Sequence, residues 1–169
     1  MPELQRLRLD HAPALLAFEQ ENRTYFAASI SDRGDEYFAH FDVRLRDLLA
    51  EQASGQCFFH VLVDGDGAVH GRINLVDVAD GSAELGYRIA EKSAGQGLAS
   101  AAVREICRLG AAEYGLTALR AVTTLDNAGS RAVLARTGFV PTGEIQLSGR
   151  PGLRFVRNLR EAGEPAGAD

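Results

Sequence analysis

The stretch ELGYRIAEKSAGQGLASAAV (84–103) carries a strand into a helix, and the reading of this chain starts there. Its first part, AELGYRIA (83–90), alternates with period two. Leu85, Tyr87 and Ile89 fall on one face of a strand, and Glu84, Gly86 and Arg88 on the other. From GQGLAS (95–100) onward the period changes: Leu98, Ala102, Ile106 and Leu109/Gly110 form a helical stripe reaching about Tyr114. Between the two lies Gly95-x-Gly97. A helix N-terminus presents unpaired N–H groups and about half a positive charge. Glycines just before it let the backbone approach an anion closely. The combination suits a phosphate or pyrophosphate; it equally suits a tight strand-to-helix turn that binds nothing.

Upstream, LQRLRL (4–9) alternates as a short strand. Asp10 stands where a helix N-cap is wanted, with Pro13 in the first turn. A second helix carries Phe38, Phe41, Leu45, Leu48 and Leu49 on one stripe after the loop SISDRGD (29–35). CFFHVLV (57–63), the tight turn DGDG (64–67) and AVHGRINLVDV (68–78) make a hairpin that continues through ADGS (79–82) into the strand 83–90. Downstream, LTALRAVTT (116–124) is a strand, Asp126 and Asn127 cap a short helix through Arg136, and Gly138 ends it. FVPTGEIQL (139–147) and LRFVRNL (153–159) are extended. The order βααβββαβαββ implies a mixed α/β (α+β) layered domain with one mainly antiparallel central sheet and about four helices.

A chain of 169 residues with 46% hydrophobic and 24% charged residues is an ordinary globular mixture. One domain over 1–160 is expected, with EAGEPAGAD (161–169) as a disordered tail. The net charge of −5 argues against nucleic acid as partner, because phosphate-bound domains are usually basic. Cys57 and Cys107 show no metal-ligand or disulfide spacing and read as buried thiols in a reducing compartment. No metal site is expected. MPELQRLRLDH has charges every few residues and no apolar run. No signal peptide, no membrane span and a cytoplasmic location follow as expectations.

The glycine loop is not a P-loop, since no GK[ST] follows it. It is a poor dinucleotide fingerprint too: the third glycine is Ser100, and the next strand has no carboxylate at its end before Asp126. What Ala94-Gly95-Gln96-Gly97-Leu98-Ala99 resembles is the acetyl-CoA motif [RQ]-x-x-G-x-[GA] of the GCN5-related N-acetyltransferase (GNAT) superfamily. Asp126-Asn127-Ala128-Gly129-Ser130 followed by Thr137-Gly138-Phe139 resembles that family's N-x-x-S…x-G-F segment. The pair is similar to the branch of ribosomal-protein N-terminal alanine acetyltransferases. The motif departs at Ala94, where Arg or Gln is usual, and at Leu134, where many relatives carry a Tyr that protonates the leaving thiolate. The region where some members of the branch place a catalytic Glu reads Ser148-Gly149-Arg150, without a carboxylate.

The resemblance implies a GNAT-like fold and transfer of acetyl from acetyl-CoA to a primary amine, with a protein N-terminal α-amine favoured over a small-molecule amine or a non-catalytic CoA-binding module. A homodimer is compatible with it. At pH 7 an α-amine needs about 1 kcal/mol to deprotonate, a lysine about 4.6, so a weakly assisted site suits the α-amine. The resemblance places the pyrophosphate on Gly95, Gln96, Gly97, Leu98, Ala99 and Ser100, the oxyanion on a backbone amide of Tyr87, Arg88 or Ile89, the pantetheine by Asn127, and the sulfur near Ser130. Glu84 is the candidate base, acting through water; the competing reading makes it a surface partner of Arg88. His60 and His70 are alternative bases by pKa. Glu19, Asn22, Arg23, Asn74 and Asp77 are candidates for the acceptor pocket. Arg150, Arg154, Arg157 and Arg160 read as a solvated edge strand.

Overall fold

The computed structural model describes residues 2–159; the expected tail 161–169 lies outside them. Seven strands form one sheet: β1 (Glu3–Arg6), β2 (Phe58–Val63), β3 (Val69–Ala79), β4 (Ser82–Ile89), β5 (Ala118–Thr124), β6 (Val140–Leu147) and β7 (Arg150–Asn158). Their spatial order is β1-β2-β3-β4-β5-β7-β6. Each neighbouring pair is antiparallel except β4 and β5.

Among the described residues six α-helices accompany the sheet, two more than the sequence predicts: α1 (Ala12–Glu21), α2 (Arg23–Ala27), α3 (Asp35–Ala39), α4 (Phe41–Ala53), α5 (Leu98–Ala112) and α6 (Ala128–Arg136). The surplus comes from breaks. The first expected helix interrupts at Asn22 (φ −105°, ψ 10°) and the second at His40 (φ −119°, ψ 34°). Asp10 is not the expected N-cap. It sits inside a 3-10 turn, Leu9–His11, and α1 begins at Ala12 with Pro13 in its first turn, where the missing N–H costs nothing.

The two faces of the sheet carry two cores. Leu7, Leu15, Phe18, Phe41, Leu45 and Val61 pack under α1–α4. Ile73, Leu75, Leu85, Val103, Ile106 and Leu119 pack under α5 and α6. Each such side chain contributes roughly 1.5–3 kcal/mol on burial. The stripe expected on α5 is the buried one: Leu98, Ala102, Ile106 and Gly110 face the sheet. The alternation of β4 therefore splits between the two cores. Leu85, Tyr87 and Ile89 point toward α5 and α6. Arg88 points toward α1 and α2, where its guanidinium reaches Glu19 and lies 4.6 Å from the Phe26 ring centre.

One irregularity positions everything functional. β4 and β5 pair over three positions only, Ser82↔Ala118, Ala83↔Leu119 and Glu84↔Arg120. Beyond them β4 stays with β3 as far as Ile89, and β5 stays with β7 as far as Thr124. The strands splay, and the sheet opens into a wedge. β7 is also not the edge strand its arginines suggested: it lies between β5 and β6, and β6 is the edge.

Candidate active site

A cleft of about 970 Å³ lies at the wedge. One wall is β4 from Leu85 to Ile89, the other β5 from Ala121 to Thr124 with the first turns of α6. The β4 edge facing the gap has no strand across it, so the N–H groups of Tyr87 and Ile89 are free for a ligand, whereas the Arg88 N–H, a further donor expected from the sequence, turns to β3 on the same side as Ala90, which donates to the His70 carbonyl.

At the cofactor end the chain goes from β4 through a 3-10 turn (Glu91–Ser93) into Gly95, Gln96 and Gly97, and α5 starts at Leu98. The helix starts slightly later than GQGLAS (95–100) suggested, with Gly97 itself as its N-cap. Gly95 has φ 75° and Gly97 has φ 79°. This left-handed region is where glycine avoids the cost an L side chain meets. A Cβ built on either glycine would meet nothing within 4 Å, so the space beside this backbone is open to a ligand. Ala94, Leu98, Ala99 and Ser100 also line the cleft. Free amides at a helix start, positive φ glycines and open space fit a pyrophosphate. Ala94 leaves the job to the backbone. His70 braces the loop from behind: its Nδ1 lies 2.8 Å from Ser93 Oγ and its Nε2 lies 2.7 Å from Asp64 Oδ2. The hydrogen bond from His70, with backbone N–H donors of Ala68 and Asp66, holds the Asp64 carboxyl down to about 2.

At the centre, the Tyr87 hydroxyl lies 3.3 Å from Ser130 Oγ, bridging β4 and α6 across the wedge. Burial raises the Tyr87 phenol above its ordinary value, opposed by Ser130, so it stays protonated at neutral pH. Ser130 is fixed because its backbone N–H donates 3.1 Å to the Asn127 side chain, the N-cap of α6. The Asn127 oxygen is thus committed locally, and only its amide nitrogen is left for a ligand. Leu134, where many relatives have Tyr, is buried in the core. Sequence reasoning valued Tyr87 for its backbone amide and missed its hydroxyl.

Glu84 stands at the closed end of the wedge, where β4 and β5 still pair. Its partner is Arg120, with Nη1 3.4 Å from Oε1, and not Arg88. Its side chain is 35% exposed, so water reaches it.

Ala27, the loop 28–31 and residues Gly86, Arg88, Ser148 and Arg150 also line the cleft. Arg88 belongs to a buried cluster around Glu19. Both Glu19 oxygens accept from Arg33, at 3.0 and 3.2 Å; Oε1 also accepts from Arg88 at 3.1 Å, and Oε2 from Arg72 at 2.8 Å. Burial opposes the charge on Glu19, but the arginines outweigh it and hold the carboxyl below its ordinary value. Burial first, then Arg33 and Arg72, push Arg88 down to about 10.

Other expected pocket residues go elsewhere. Asn22 is buried and ties α1 to the loop after β4, accepting from the Glu91 N–H at 2.9 Å. Arg23 pairs with Asp32 and Asp35 on the surface. Asp77 marks a bulge in β3 with φ 53°. His60, an alternative base in the sequence, is buried: it is 2% exposed and its Nε2 lies 2.6 Å from the Tyr114 hydroxyl. Burial pushes it down to about 4, so it is neutral. Cys57 and Cys107 are buried, and burial raises both thiols. Among the described residues there is no group of three or more His, Cys, Asp or Glu placed to hold a metal ion, and no helix long and apolar enough to cross a membrane.

Residues 3–140 match the family model of the acetyltransferase (GNAT) domain. The chain belongs to this family and is an acetyl-CoA-dependent N-acetyltransferase. Among solved structures, it is similar to ribosomal-protein-S5-alanine acetyltransferase from Vibrio fischeri, at 20% identity and TM-score 0.86, over 92% of this chain and 91% of the other. Mycobacterium smegmatis RimJ in complex with CoA-disulfide matches at 24% identity and TM-score 0.84, over 96% and 84%. A chimera of spermidine N-acetyltransferase SpeG from Vibrio cholerae and hSSAT matches at 16% identity and TM-score 0.80, over 96% and 98%. These likenesses establish the GNAT fold. No curated protein matches the sequence.

Proposed function

We propose that this acetyltransferase acts on a protein or peptide N-terminal α-amine in the cytoplasm. The observation that carries the reading is the lining of the cleft: it holds Arg88, Arg136 and Arg150 and no Asp or Glu among the described residues. A polyamine arrives with several positive charges and needs carboxylates to meet them; an α-amine brings at most one charge, and roughly a tenth to a fifth of it is already neutral at pH 7, so it needs none. Similarity to ribosomal-protein acetyltransferases supports the same choice.

Acetyl-CoA would lie with its pyrophosphate on the amides of Gly95 to Ser100 and its pantetheine in the wedge past Asn127. The neutral amine attacks the thioester carbonyl, forming the N–C bond. The oxyanion takes an N–H from the unpaired edge of β4, at Tyr87 or Ile89. The C–S bond breaks, its electrons go to sulfur, and the Tyr87–Ser130 hydroxyl pair supplies the proton that makes the thiol; solvent restores it. The surplus amine proton leaves through water to Glu84. Tyr87 thereby stands in for the tyrosine absent at Leu134.

The test is a steady-state comparison of an N-terminal alanine peptide, the same peptide blocked at its amine, a lysine peptide and spermidine, with thiol release as the readout. Acetylation of the free N-terminus at the highest kcat/KM supports the reading; spermidine or lysine in first place overturns it, and acetyl-CoA binding without thiol release from any amine would leave a CoA-binding module.

A further inference from the structure

The Glu19 cluster has an imbalance. One carboxylate faces Arg33, Arg72 and Arg88; Glu19 and Arg72 are buried, Arg88 is mostly so, and Arg33 is 28% exposed. Glu19 is saturated, with four hydrogen bonds on two oxygens. Taken alone, one negative against three positive charges leaves an excess of two in a place where desolvation makes charge costly. Arg33 and Arg88 offset part of this by lying over the rings of Tyr37 and Phe26. Yet Arg88 gives only Nη1 to Glu19. Its Nε and Nη2 donate to no other group among the described residues, and the side chain, 15% exposed, lines the cleft. Among the described residues Glu19 is the one carboxylate paired with Arg88.

Beside Arg88 on the same face of β4 is Gly86. It is exposed, and a Cβ there would meet nothing within 4 Å. Directly across the ladder is Asn74, whose Oδ1 is buried without a hydrogen-bond partner. An open floor thus lies between a buried acceptor atom and a guanidinium with unused donors. The cofactor cradle heads α5 on the opposite face of the sheet, so the cofactor phosphates do not call for this charge. Nor does the chain's overall field, since the net charge is −5 and would repel an anion at long range. The demand for negative charge is local to the acceptor end.

Building on the α-amine reading above, we propose that the acceptor carries a carboxylate within a few bonds of its amine, and that Arg88 binds that carboxylate over Gly86. Arg88 is then the specificity-determining residue, with Glu19 holding its guanidinium in place. The carboxylate can come from an acidic side chain at the start of a peptide or from the α-carboxyl of a free amino acid.

The experiment measures kcat/KM for two matched pairs, Ala-Asp-Ala-amide against Ala-Asn-Ala-amide and alanine against alaninamide, with spermidine alongside, for wild type, Arg88→Gln and Arg88→Lys. An Arg-to-carboxylate hydrogen bond is worth enough for at least a tenfold preference. Wild type should prefer the acid in one pair by about that factor, through KM, and the pair that shows it names the source. Arg88→Gln should reduce the preference to about threefold or less, and Arg88→Lys should restore part of it. Arg33 and Arg72 still satisfy Glu19 in both variants, and thermal melting checks that they fold. The same pairs titrated by calorimetry without acetyl-CoA read the preference independently of turnover. Efficient acetylation with no acid preference, a preference for spermidine, or an acid preference that survives Arg88→Gln overturns the proposal while leaving the acetyltransferase reading intact. Loss of all turnover beside an acid preference in binding does the reverse.

Discussion

The two ends of the cleft are made of different material. The cofactor end is almost all backbone: one continuous run from Ser93 to Ser100, two glycines in left-handed conformation and the free amides that start α5. The acceptor end is almost all side chain: Glu19 from α1, Arg33 from a loop, Arg72 from β3 and Arg88 from β4, joined across 14, 53 and 69 residues of sequence. A backbone site is set by local conformation and tolerates change in the side chains around it, as at Ala94. A side-chain site assembled over such separations depends on every member. The acceptor end should therefore be the fragile one in stability, and the cofactor end the specific one in binding.

The largest effect expected from a single change lies between the two ends. If Glu84 takes the amine proton through water, Glu84→Gln should lower kcat by about 10²–10⁴ while acetyl-CoA affinity holds. A kcat and pH profile matching wild type over pH 6 to 9 would instead assign Glu84 to its pairing with Arg120 and leave catalysis to positioning.

The comparison itself is sharpened by Glu19→Gln. Removing the only carboxylate of a buried cluster leaves three guanidiniums facing one another and should cost about 3–5 kcal/mol, read from denaturant unfolding. The pH dependence carries the same signature. Glu19 has a folded pKa below its ordinary value, so its contribution is present above pH 4.5 and is lost as pH falls through the folded value. His60 acts in a higher window: it titrates near 6.5 when unfolded and about 4 when folded, so stability falls as pH drops from 6.5 to 4, by on the order of 3 kcal/mol. Glu19→Gln should flatten the lower window and His60→Gln the upper.

At the cofactor end the expectation is smaller and of another kind. Gly97→Val forces a β-branched residue to φ near 79° and fills space now open. It should raise the acetyl-CoA Kd at least about tenfold, with a stability loss of about 1–2 kcal/mol, by calorimetry and melting. A stability loss larger than that of Glu19→Gln, with binding intact, would break the contrast. The smallest effect belongs to the surface pairs: Asp35→Asn, which removes a solvent-exposed contact with Arg23, should leave the denaturant midpoint unchanged within error.

The same contrast explains what could be read from sequence. Period-two alternation in 83–90 and the stripe from Leu98 to Gly110 are local, and both elements stand where the pattern puts them. Gly95 and Gly97 declare themselves because only backbone conformation is at issue. Asn127 and Ser130 were found by motif, and they lie together for a local reason, an N-cap. Of the Glu19 cluster only Glu19 itself was legible, as one of several polar candidates for the acceptor pocket, and nothing near it in sequence announces three arginines. The splay of β4 from β5 was equally silent, because it is a missing ladder and not a present pattern. β7 was misread as an edge because its arginines look solvated, whereas Arg157 donates to the Thr137 carbonyl at 2.7 Å from inside the sheet.

The central claim is that the wedge between β4 and β5 carries the thioester to the Tyr87–Ser130 pair. A crystal structure of the chain with coenzyme A tests it directly. The account predicts the pyrophosphate on the amides of Gly95 to Ser100, the pantetheine between the two strands, and the sulfur within hydrogen-bonding reach of the Tyr87 or Ser130 hydroxyl. Coenzyme A bound outside the wedge, or Ser130 Oγ turned toward the core with the Tyr87 hydroxyl away from the sulfur, would contradict it.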